Sequence, residues 1–230
     1  IVYEGRAANI LIDNEKLREI DAYYEKCSSE GASDIAIEES KNANSKMNSI
    51  LGDPDRLKAI ALDFVTHYER RISEGLTGDG KAIFVCNSRT IAYELYKQII
   101  SIRPEWAEIR NPKLENDSNK QNSSPIKPIE KIKMVMTRDK DDDENLYNLL
   151  GDKKYRKELD RQFKEIRSNF KIAIVVDMWL TGFDVPSLDT IYIDKPLQKH
   201  SLIQTISRVN RKYGQKKKGL IVDYIGIKKQ

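Results

Sequence analysis

The sequence predicts an α/β domain whose parallel sheet is covered by helices on both faces. Short apolar runs rich in β-branched residues begin at about residues 81, 131, 171, 189 and 219. Polar turn residues bound these runs, and most are separated by stretches in which apolar side chains recur at helical spacing. Runs that are apolar throughout are typical of parallel strands buried on both faces, and helices between them are the usual connections.

Length and composition indicate one globular domain with additional segments. The 230 residues are 39% hydrophobic and 33% charged, which is enough for a single core with some excess length. The net charge of +4 is mild, but residues 195–230 contain ten Lys or Arg and one acid, Asp223. The sequence therefore predicts a basic surface that is local to this end of the chain.

The two cysteines, Cys27 and Cys86, lie far apart without CxxC spacing, and only His67 and His200 could join them as metal ligands. The sequence thus predicts neither a disulfide framework nor a zinc site, and a reducing cytoplasm is the expected location. No window approaches the roughly 20 apolar residues of a membrane helix, and no signal peptide is recognised. Because the chain starts at Ile1, we expect it to be part of a longer one.

Residues 1–52 are predicted to connect this domain to a preceding one, and residues 53–230 to form the domain itself. Within the connecting segment, residues 14–27 and 35–50 have polar helical patterns without a strong apolar stripe. Such helices would dock on a neighbouring domain. An independently folded helical appendage is the alternative.

The domain is predicted to begin with a capped helix, followed by a loop that matches a phosphate loop in spacing only. Asp53 before Pro54 predicts the helix start, and apolar residues at helical spacing continue to about Gly75. Gly75, Gly80 and Lys81 satisfy G-x-x-x-x-G-K. However, the loop precedes a strand instead of joining a strand to a helix, and no Ser or Thr follows the lysine. This loop is therefore not predicted to bind a nucleotide.

The strand predicted at residues 81–86 runs into Asn87 and Ser88, either of which can cap a helix at residues 90–102. A capped helix after a strand leaves N–H groups at the carboxyl edge of the sheet. With Arg89 nearby, these groups suit a phosphate of a nucleic-acid backbone. A plain helix cap is the alternative.

Residues 110–128 have almost no apolar side chains and many Asn, Ser, Lys and Pro. This composition predicts a flexible surface excursion within the domain. A strand predicted at residues 131–137 then leads to an acidic turn at residues 138–144. Adjacent acids on one short turn cannot converge on one ion, so we predict a solvated loop and no metal site.

A helix predicted at residues 153–168 turns three apolar side chains toward the core. These are Leu159, Phe163 and Ile166. Two further strands are predicted at residues 172–176 and 190–193, and each ends in a polar loop. A last strand is predicted at residues 219–224.

The helix predicted at residues 199–213 has one apolar and one cationic face. At 100° per residue, Gln204, Arg208 and Arg211 fall within an arc of roughly 60°. Two guanidinium groups and an amide on one arc indicate a phosphate ligand. The opposite, packed stripe consists of Leu202, Ile206, Val209 and Tyr213.

Three stretches of this sequence resemble motifs of a known enzyme family. QTISRVNR, at residues 204–211, resembles the last motif of superfamily 2 helicases and translocases, and TGFDVP, at residues 181–186, resembles the motif before it. The pair is most similar to the motor subunit of type I restriction enzymes. VCNSRTIAYELY, at residues 85–96, resembles the first motif of that subunit's second motor domain. Ser207 replaces the Gly of many superfamily members, which leaves the arginine roles intact.

The resemblance implies the second RecA-like domain of a two-domain motor that translocates double-stranded DNA. ATP and Mg²⁺ would be held mainly by the first motor domain. Arg208 and Arg211 would be the catalytic residues at the γ-phosphate, with Gln204 and Asp184 supporting the ATP site. The DNA backbone would contact Asn87, Ser88, Arg89, Thr181 and Gly182.

The resemblance also implies further parts of the machine. The preceding motor domain and a nuclease domain would belong to the same subunit, and methyltransferase and specificity subunits would be partners. This chain alone is expected to be inactive. One alternative is the second motor domain of another superfamily 2 DNA or RNA helicase or translocase. A further alternative is a non-catalytic α/β module that binds a phosphorylated ligand.

Overall fold

The structure is a computed structural model, and it describes most of the domain. The described residues are 1–6, 22, 45–112, 125–180, 182–197, 199–209, 211, 213 and 218–225, with the backbone alone at 199–202 and 208.

The described part of the chain forms a six-stranded parallel sheet in the order β1-β6-β5-β2-β4-β3. The strands are β1 (Val2–Gly5), β2 (Lys81–Cys86), β3 (Ile132–Val135), β4 (Ile172–Val175), β5 (Leu188–Asp194) and β6 (Leu220–Asp223). The helices are α1 (Pro54–Ser73), α2 (Arg89–Ile102), α3 (Glu144–Leu150), α4 (Lys153–Lys164) and α5 (Lys199–Val209). A 3₁₀ turn spans Pro104–Ala107, and residues 45–51 are helical.

Every residue of β2 to β6 is buried, so both faces of the sheet are covered. On one face, Phe64 of α1 packs edge-on against Tyr192 and Phe84, with ring centroids 4.7 and 5.2 Å apart. In α4, Phe163 packs against Phe170, with ring centroids 4.9 Å apart, and both side chains are fully buried. Burying each such ring stabilises the fold by roughly 1.5–3 kcal/mol. The predicted RecA-like α/β class, with a covered parallel sheet, is confirmed.

The start of α1 agrees with the predicted cap. The side chain of Asp53 accepts hydrogen bonds from the backbone N–H groups of Asp55 and Arg56, and Pro54 is the first helical residue. Proline is tolerated there because the first N–H groups of a helix have no partner within it. Gly75, which follows the helix, has a φ of 64°, in the left-handed region that favours glycine.

One strand was missed by the sequence analysis. Val2–Gly5 pairs in parallel with β6 at the edge of the sheet, from Val2 opposite Leu220 to Gly5 opposite Asp223. The prediction that the chain's opening residues belong only to a connecting segment is therefore wrong for these four. Their apolar run is too short to recognise, and a partner more than 200 residues away holds them. Most of the remaining connecting segment lies outside the described residues, so its helices stay a prediction.

Two helices end earlier than predicted. α4 ends at Lys164, and Ile166, which was predicted to face the core, is 36% exposed. Instead, the buried hydroxyl of Ser168 donates to the side chain of Gln162 and accepts from the backbone N–H of Phe170, which turns the chain into β4. α5 ends at Val209, four residues before the predicted end.

The ends of the predicted excursion meet, because Arg110 and Ile129 form an antiparallel bridge. Their two backbone hydrogen bonds measure 3.1 and 3.0 Å. Residues 113–124, most of the excursion, lie outside the described residues. Its flexibility therefore stays a prediction.

Lys81, the first residue of β2, has a fully buried side chain. Its ammonium group donates to the backbone carbonyl oxygens of Phe163 at 2.5 Å, Glu165 at 2.8 Å and Phe170 at 3.3 Å. Burial, with a smaller contribution from the charge of Lys171, lowers the pKa of Lys81 to about 7.

This shift predicts a pH-dependent stability. Between about pH 7 and the ordinary lysine value of 10.5, the unfolded chain keeps the Lys81 proton that the folded chain has released. The unfolded state then binds more protons, so the free energy of unfolding rises with pH in this window. We expect wild type to gain on the order of 1 kcal/mol per pH unit over Lys81→Met. Urea unfolding at pH 7, 8 and 9 measures the gain. Lys154→Met, at an exposed position on α4, should follow wild type; parallel curves for wild type and Lys81→Met would contradict the prediction.

Candidate functional site at the carboxyl edge of the sheet

The residues singled out in the sequence follow three neighbouring strands. β5, β2 and β4 lie side by side and run parallel, so their carboxyl ends meet at one edge of the sheet. Residues 87–89 follow β2, the loop at residues 176–187 follows β4, and residues 195–198 lead from β5 into α5. Ligands of open parallel sheets bind outside this edge. The strand order therefore brings these three segments to one edge of the sheet, as the sequence predicted.

Two of the predicted site residues contact each other directly. Nη1 of Arg211 donates to Oδ2 of Asp184 at 2.9 Å, and each side chain is about half exposed. An ion pair this exposed contributes little to stability, at most about 1 kcal/mol. Its effect is to orient the guanidinium group of Arg211 beside the loop that follows β4.

The backbone of that loop is constrained around the predicted site residues. Trp179 has a φ of 69°, which is uncommon for a residue other than glycine, and its ring stacks on Phe183 with centroids 4.1 Å apart. Gly182 has a φ of 71°, so glycine is needed there for its conformation. Strained backbone of this kind is concentrated at functional sites. Thr181, a predicted DNA contact, lies outside the described residues.

Helix α5 packs through Ile206 and Val209 of the predicted stripe, whereas Tyr213 lies beyond the end of the helix. Val209 is fully buried and Ile206 is partly buried against the core. Thr205 is also fully buried, which the sequence analysis missed. Close packing extends to the start of β6, because a Cβ on Gly219 would lie 2.2 Å from the carbonyl oxygen of Val209. The side chains of Leu202 and Arg208 lie outside the described part of the chain.

On the rest of α5, Gln204 is partly exposed and the hydroxyl of Ser207 donates to its carbonyl oxygen at 2.7 Å. Ile203, which was assigned to neither face of the predicted helix, is 66% exposed. Gln204 therefore lies on a part of the helix that the core covers only partly. The predicted face of Gln204, Arg208 and Arg211 is wrong in one respect, because Arg211 follows the end of α5 instead of lying on it.

The three predicted DNA contacts after β2 all have protein partners. The hydroxyl of Ser88 accepts from the backbone N–H of Ile91 at 3.3 Å and caps α2. The side-chain amide of Asn87 donates to Asn48 at 2.9 Å. Arg89 donates to both carboxylate oxygens of Asp142. The helix-cap alternative thus describes Ser88, and DNA contact by any of the three stays a prediction.

The contact with Arg89 corrects one prediction about the acidic turn. Asp142 was predicted to be solvated, but its side chain is only 7% exposed. Burial opposes the charged form, yet hydrogen bonds from Arg89 and from the backbone N–H of Asp139 hold the pKa of Asp142 below its ordinary value. The remaining acids of this predicted turn, Asp139, Asp141, Asp143 and Glu144, are exposed at the surface as predicted.

Sequence reasoning missed two ion pairs at the end of β5. Asp194 is fully buried and receives Nη1 of Arg56 at 3.0 Å and Nη2 of the same guanidinium. Lys195, the next residue, donates to Oδ1 of Asp177 at 2.5 Å. The one available signal was an arginine on the apolar face of α1, because a buried arginine requires an acidic partner.

A cavity of about 1110 Å³ lies at the opposite, amino edge of the sheet. The loop that precedes β2 and the start of β6 line it, including Gly75, Asp79 and Leu220. The G-x-x-x-x-G-K match therefore lies away from the carboxyl edge.

Within the described residues, no group of three or more His, Cys, Asp or Glu side chains is placed to hold a metal ion. Across that same part of the chain, no helix has the length and apolar character needed to cross a membrane.

Comparison with known proteins gives a family for this fold and site. The model of the family described as type I restriction enzyme subunit R domain 3 matches residues 78–226. The HindI endonuclease subunit of a Haemophilus influenzae type I restriction enzyme is 37% identical over 201 residues, 86% of this chain and 17% of that protein. A Methanocaldococcus jannaschii protein named as the MjaIXP endonuclease subunit is 38% identical over 229 residues, 99% of this chain and 19% of that protein.

A solved structure shares the fold. It is a fragment named as an HsdR subunit of a type I restriction enzyme from Vibrio vulnificus YJ016, with a TM-score of 0.51 and 13% identity. The match covers 98% of this chain and 31% of that one. This chain spans less than a fifth of the two sequence relatives described above. Because the family model covers more than half of the chain, the chain belongs to the family of type I restriction enzyme R subunits.

Proposed function

We propose that this chain is the second motor domain of an R subunit, supplying half of an ATP site and a surface that tracks DNA. ATP-driven translocation of double-stranded DNA would lead to cleavage by a nuclease domain elsewhere in the subunit. The observation that carries the proposal is the contact of Arg211 with Asp184 at the carboxyl edge, where two separate motifs meet. Family membership supports it.

The proposed role of the two arginines follows from their position. Arg211 presents a half-exposed guanidinium group, which Asp184 orients, just beyond the end of α5, and Arg208 lies in the last turn of that helix. Guanidinium groups placed on a transferring phosphoryl group stabilise the charge that develops there. ATP with Mg²⁺ supplies that phosphoryl group when bound. In this proposal Gln204 and Asp184 orient the arginines, and the preceding motor domain holds Mg²⁺.

The proposed DNA surface consists of the segments that follow β2 and β4. Backbone N–H groups and hydroxyls there would bind phosphates without reading sequence. Arg89 would have to share its guanidinium group between a phosphate and Asp142, which already accepts from it. We therefore propose that the cap of α2 at Ser88 and the loop around Gly182 carry more of the contact than Arg89 does.

The proposed partners follow from the family. A complete R subunit would contain the preceding motor domain and the nuclease domain. It would assemble in the cytoplasm with methyltransferase and specificity subunits. The specificity subunit, and not this chain, would choose the DNA sequence.

The isolated chain tests this assignment. We expect it to bind double-stranded DNA weakly and without sequence preference, because the contacts are to phosphates. The affinity should fall steeply between 50 and 200 mM salt, by about tenfold or more, as counterions are no longer released favourably. It should release no phosphate from ATP, whereas the complete subunit should do so when DNA is added. Fluorescence anisotropy measures the DNA affinity at each salt concentration, and a phosphate-release assay measures ATP hydrolysis. ATP turnover by the isolated chain, or an affinity indifferent to salt, would contradict the proposal.

A further inference from the structure

The loop that follows β4 and the segment that follows β5 contact each other at both of their ends. At the far end, Arg211 donates to Asp184 at 2.9 Å. At the near end, Nζ of Lys195 donates to Oδ1 of Asp177 at 2.5 Å and to the backbone carbonyl oxygen of Val176 at 3.4 Å. The first loop runs from Val176 to Asp184, and the second segment leads from Lys195 through α5 to Arg211.

The near end of the second segment is fixed to the core. Asp194, which precedes Lys195, is fully buried and holds the guanidinium group of Arg56 with both carboxylate oxygens. Nη1 of Arg56 also donates to the carbonyl oxygen of Leu51 at 3.0 Å. The backbone at residue 194 therefore cannot shift without breaking a buried charge pair. Lys195 extends from this fixed point to the loop.

The side chains of Lys195 and Asp177 differ in their exposure to solvent. The side chain of Lys195 is 16% exposed, whereas that of Asp177 is 78% exposed. The lysine is therefore largely covered by the protein, whereas the aspartate lies at the surface. Because Asp177 lies in solvent, the pair adds little to stability. Its physical effect is to fix where the loop after β4 begins.

We propose that Lys195 is a positioning residue of the ATP site. It aligns the loop that carries Asp184 with α5, which carries Arg208, and with Arg211 just beyond the end of that helix. This inference rests on the proposed function, since it assigns Lys195 a part in the same site. Small displacements of a catalytic group are costly: a shift of about 1 Å can reduce a rate by 10²-fold. A contact that barely affects stability can therefore have a large effect on turnover.

The test is DNA-stimulated ATP hydrolysis by the complete subunit. We expect Lys195→Met, which keeps the apolar stem and removes the ammonium, to lower kcat by about 10- to 100-fold. The KM for ATP should stay within about twofold, because the binding groups are unchanged. The melting temperature should stay within about 4 °C, as for loss of an exposed ion pair. Lys195→Arg, which keeps the charge and reach, should restore most of kcat.

A second variant identifies the partner. Asp177→Asn should lower kcat as Lys195→Met does, and the double variant should be no worse than Lys195→Met alone, because both remove one contact. The matched control is Lys97→Met on α2, whose ammonium pairs with Glu94 at 2.8 Å away from these loops. That variant should turn over ATP like wild type.

The outcomes separate this inference from the proposed function. If Arg211→Ala keeps normal turnover, the proposed function is wrong. If Arg211→Ala loses turnover while Lys195→Met keeps it, the proposed function stands and the positioning role is wrong. Equal loss in Lys195→Met and Lys195→Arg, or additive effects of the Lys195 and Asp177 changes, would also overturn the positioning role.

Discussion

Replacing Arg211 or Arg208 by alanine in the complete subunit should nearly stop DNA-stimulated ATP hydrolysis, with a fall of about 10³ to 10⁵ in kcat. An arginine that contacts the transferring phosphoryl group acts mainly in the transition state. ATP binding should therefore change little while kcat and kcat/KM fall together. Arg211 is about half exposed and its partner Asp184 is equally exposed, so Arg211→Ala should fold normally. Steady-state phosphate release and equilibrium binding of a fluorescent ATP analogue measure the two effects.

The control for this experiment is a basic residue at the other edge of the sheet. Lys218 is exposed, precedes β6 and lines the cavity at the amino edge. Lys218→Ala removes the same unit of charge far from the proposed ATP site, so turnover at saturating DNA should be unchanged. Normal turnover in Arg211→Ala would show that its proposed catalytic role is wrong. A loss that appears only together with a lowered melting temperature would make the arginine structural.

Replacing Arg56 by alanine should destabilise the domain by about 3–5 kcal/mol, because it leaves the fully buried carboxylate of Asp194 without its partner. That loss is a large part of the roughly 5–15 kcal/mol that holds a typical domain folded. It should also leave the carbonyl oxygen of Leu51 without the hydrogen bond from Arg56. Urea unfolding of this chain, followed by circular dichroism, measures the change.

An exposed pair provides the comparison. Arg110 lies 2.9 Å from Glu108, and both side chains are more than half exposed. Arg110→Ala should therefore change the free energy of unfolding by less than about 1 kcal/mol. Combining Arg56→Met with Asp194→Leu should recover part of the stability, since it removes both buried charges. If Arg56→Ala lowers the free energy of unfolding as little as Arg110→Ala does, water must reach Asp194 and the pair is not buried in solution.

The sequence alone was enough to predict the elements whose signals are local. β2 to β6 are runs of β-branched and other apolar residues, each bounded by turn residues, and Asp53 with Pro54 marks the start of α1. The helical spacing of Gln204 and Arg208 on α5, and the motif around Gly182, were also readable, but the predicted helix wrongly continued past Val209 to include Arg211. Each of these signals lies within about ten residues of sequence, where propensity, capping and periodicity act.

Only the tertiary structure decided which distant residues pair at the carboxyl edge. The pairs of Arg56 with Asp194 and of Arg89 with Asp142 join residues 138 and 53 positions apart, and Lys195 reaches Asp177 across 18. Likewise, β1 could not be predicted from the sequence, because it is a strand only through its hydrogen bonds to β6. A charged side chain carries no periodicity that identifies its partner, and the strand order that brings two strand ends together is a property of the whole sheet. The sequence thus determined which segments form the site, and the packing of the sheet decided which side chains hold them in place.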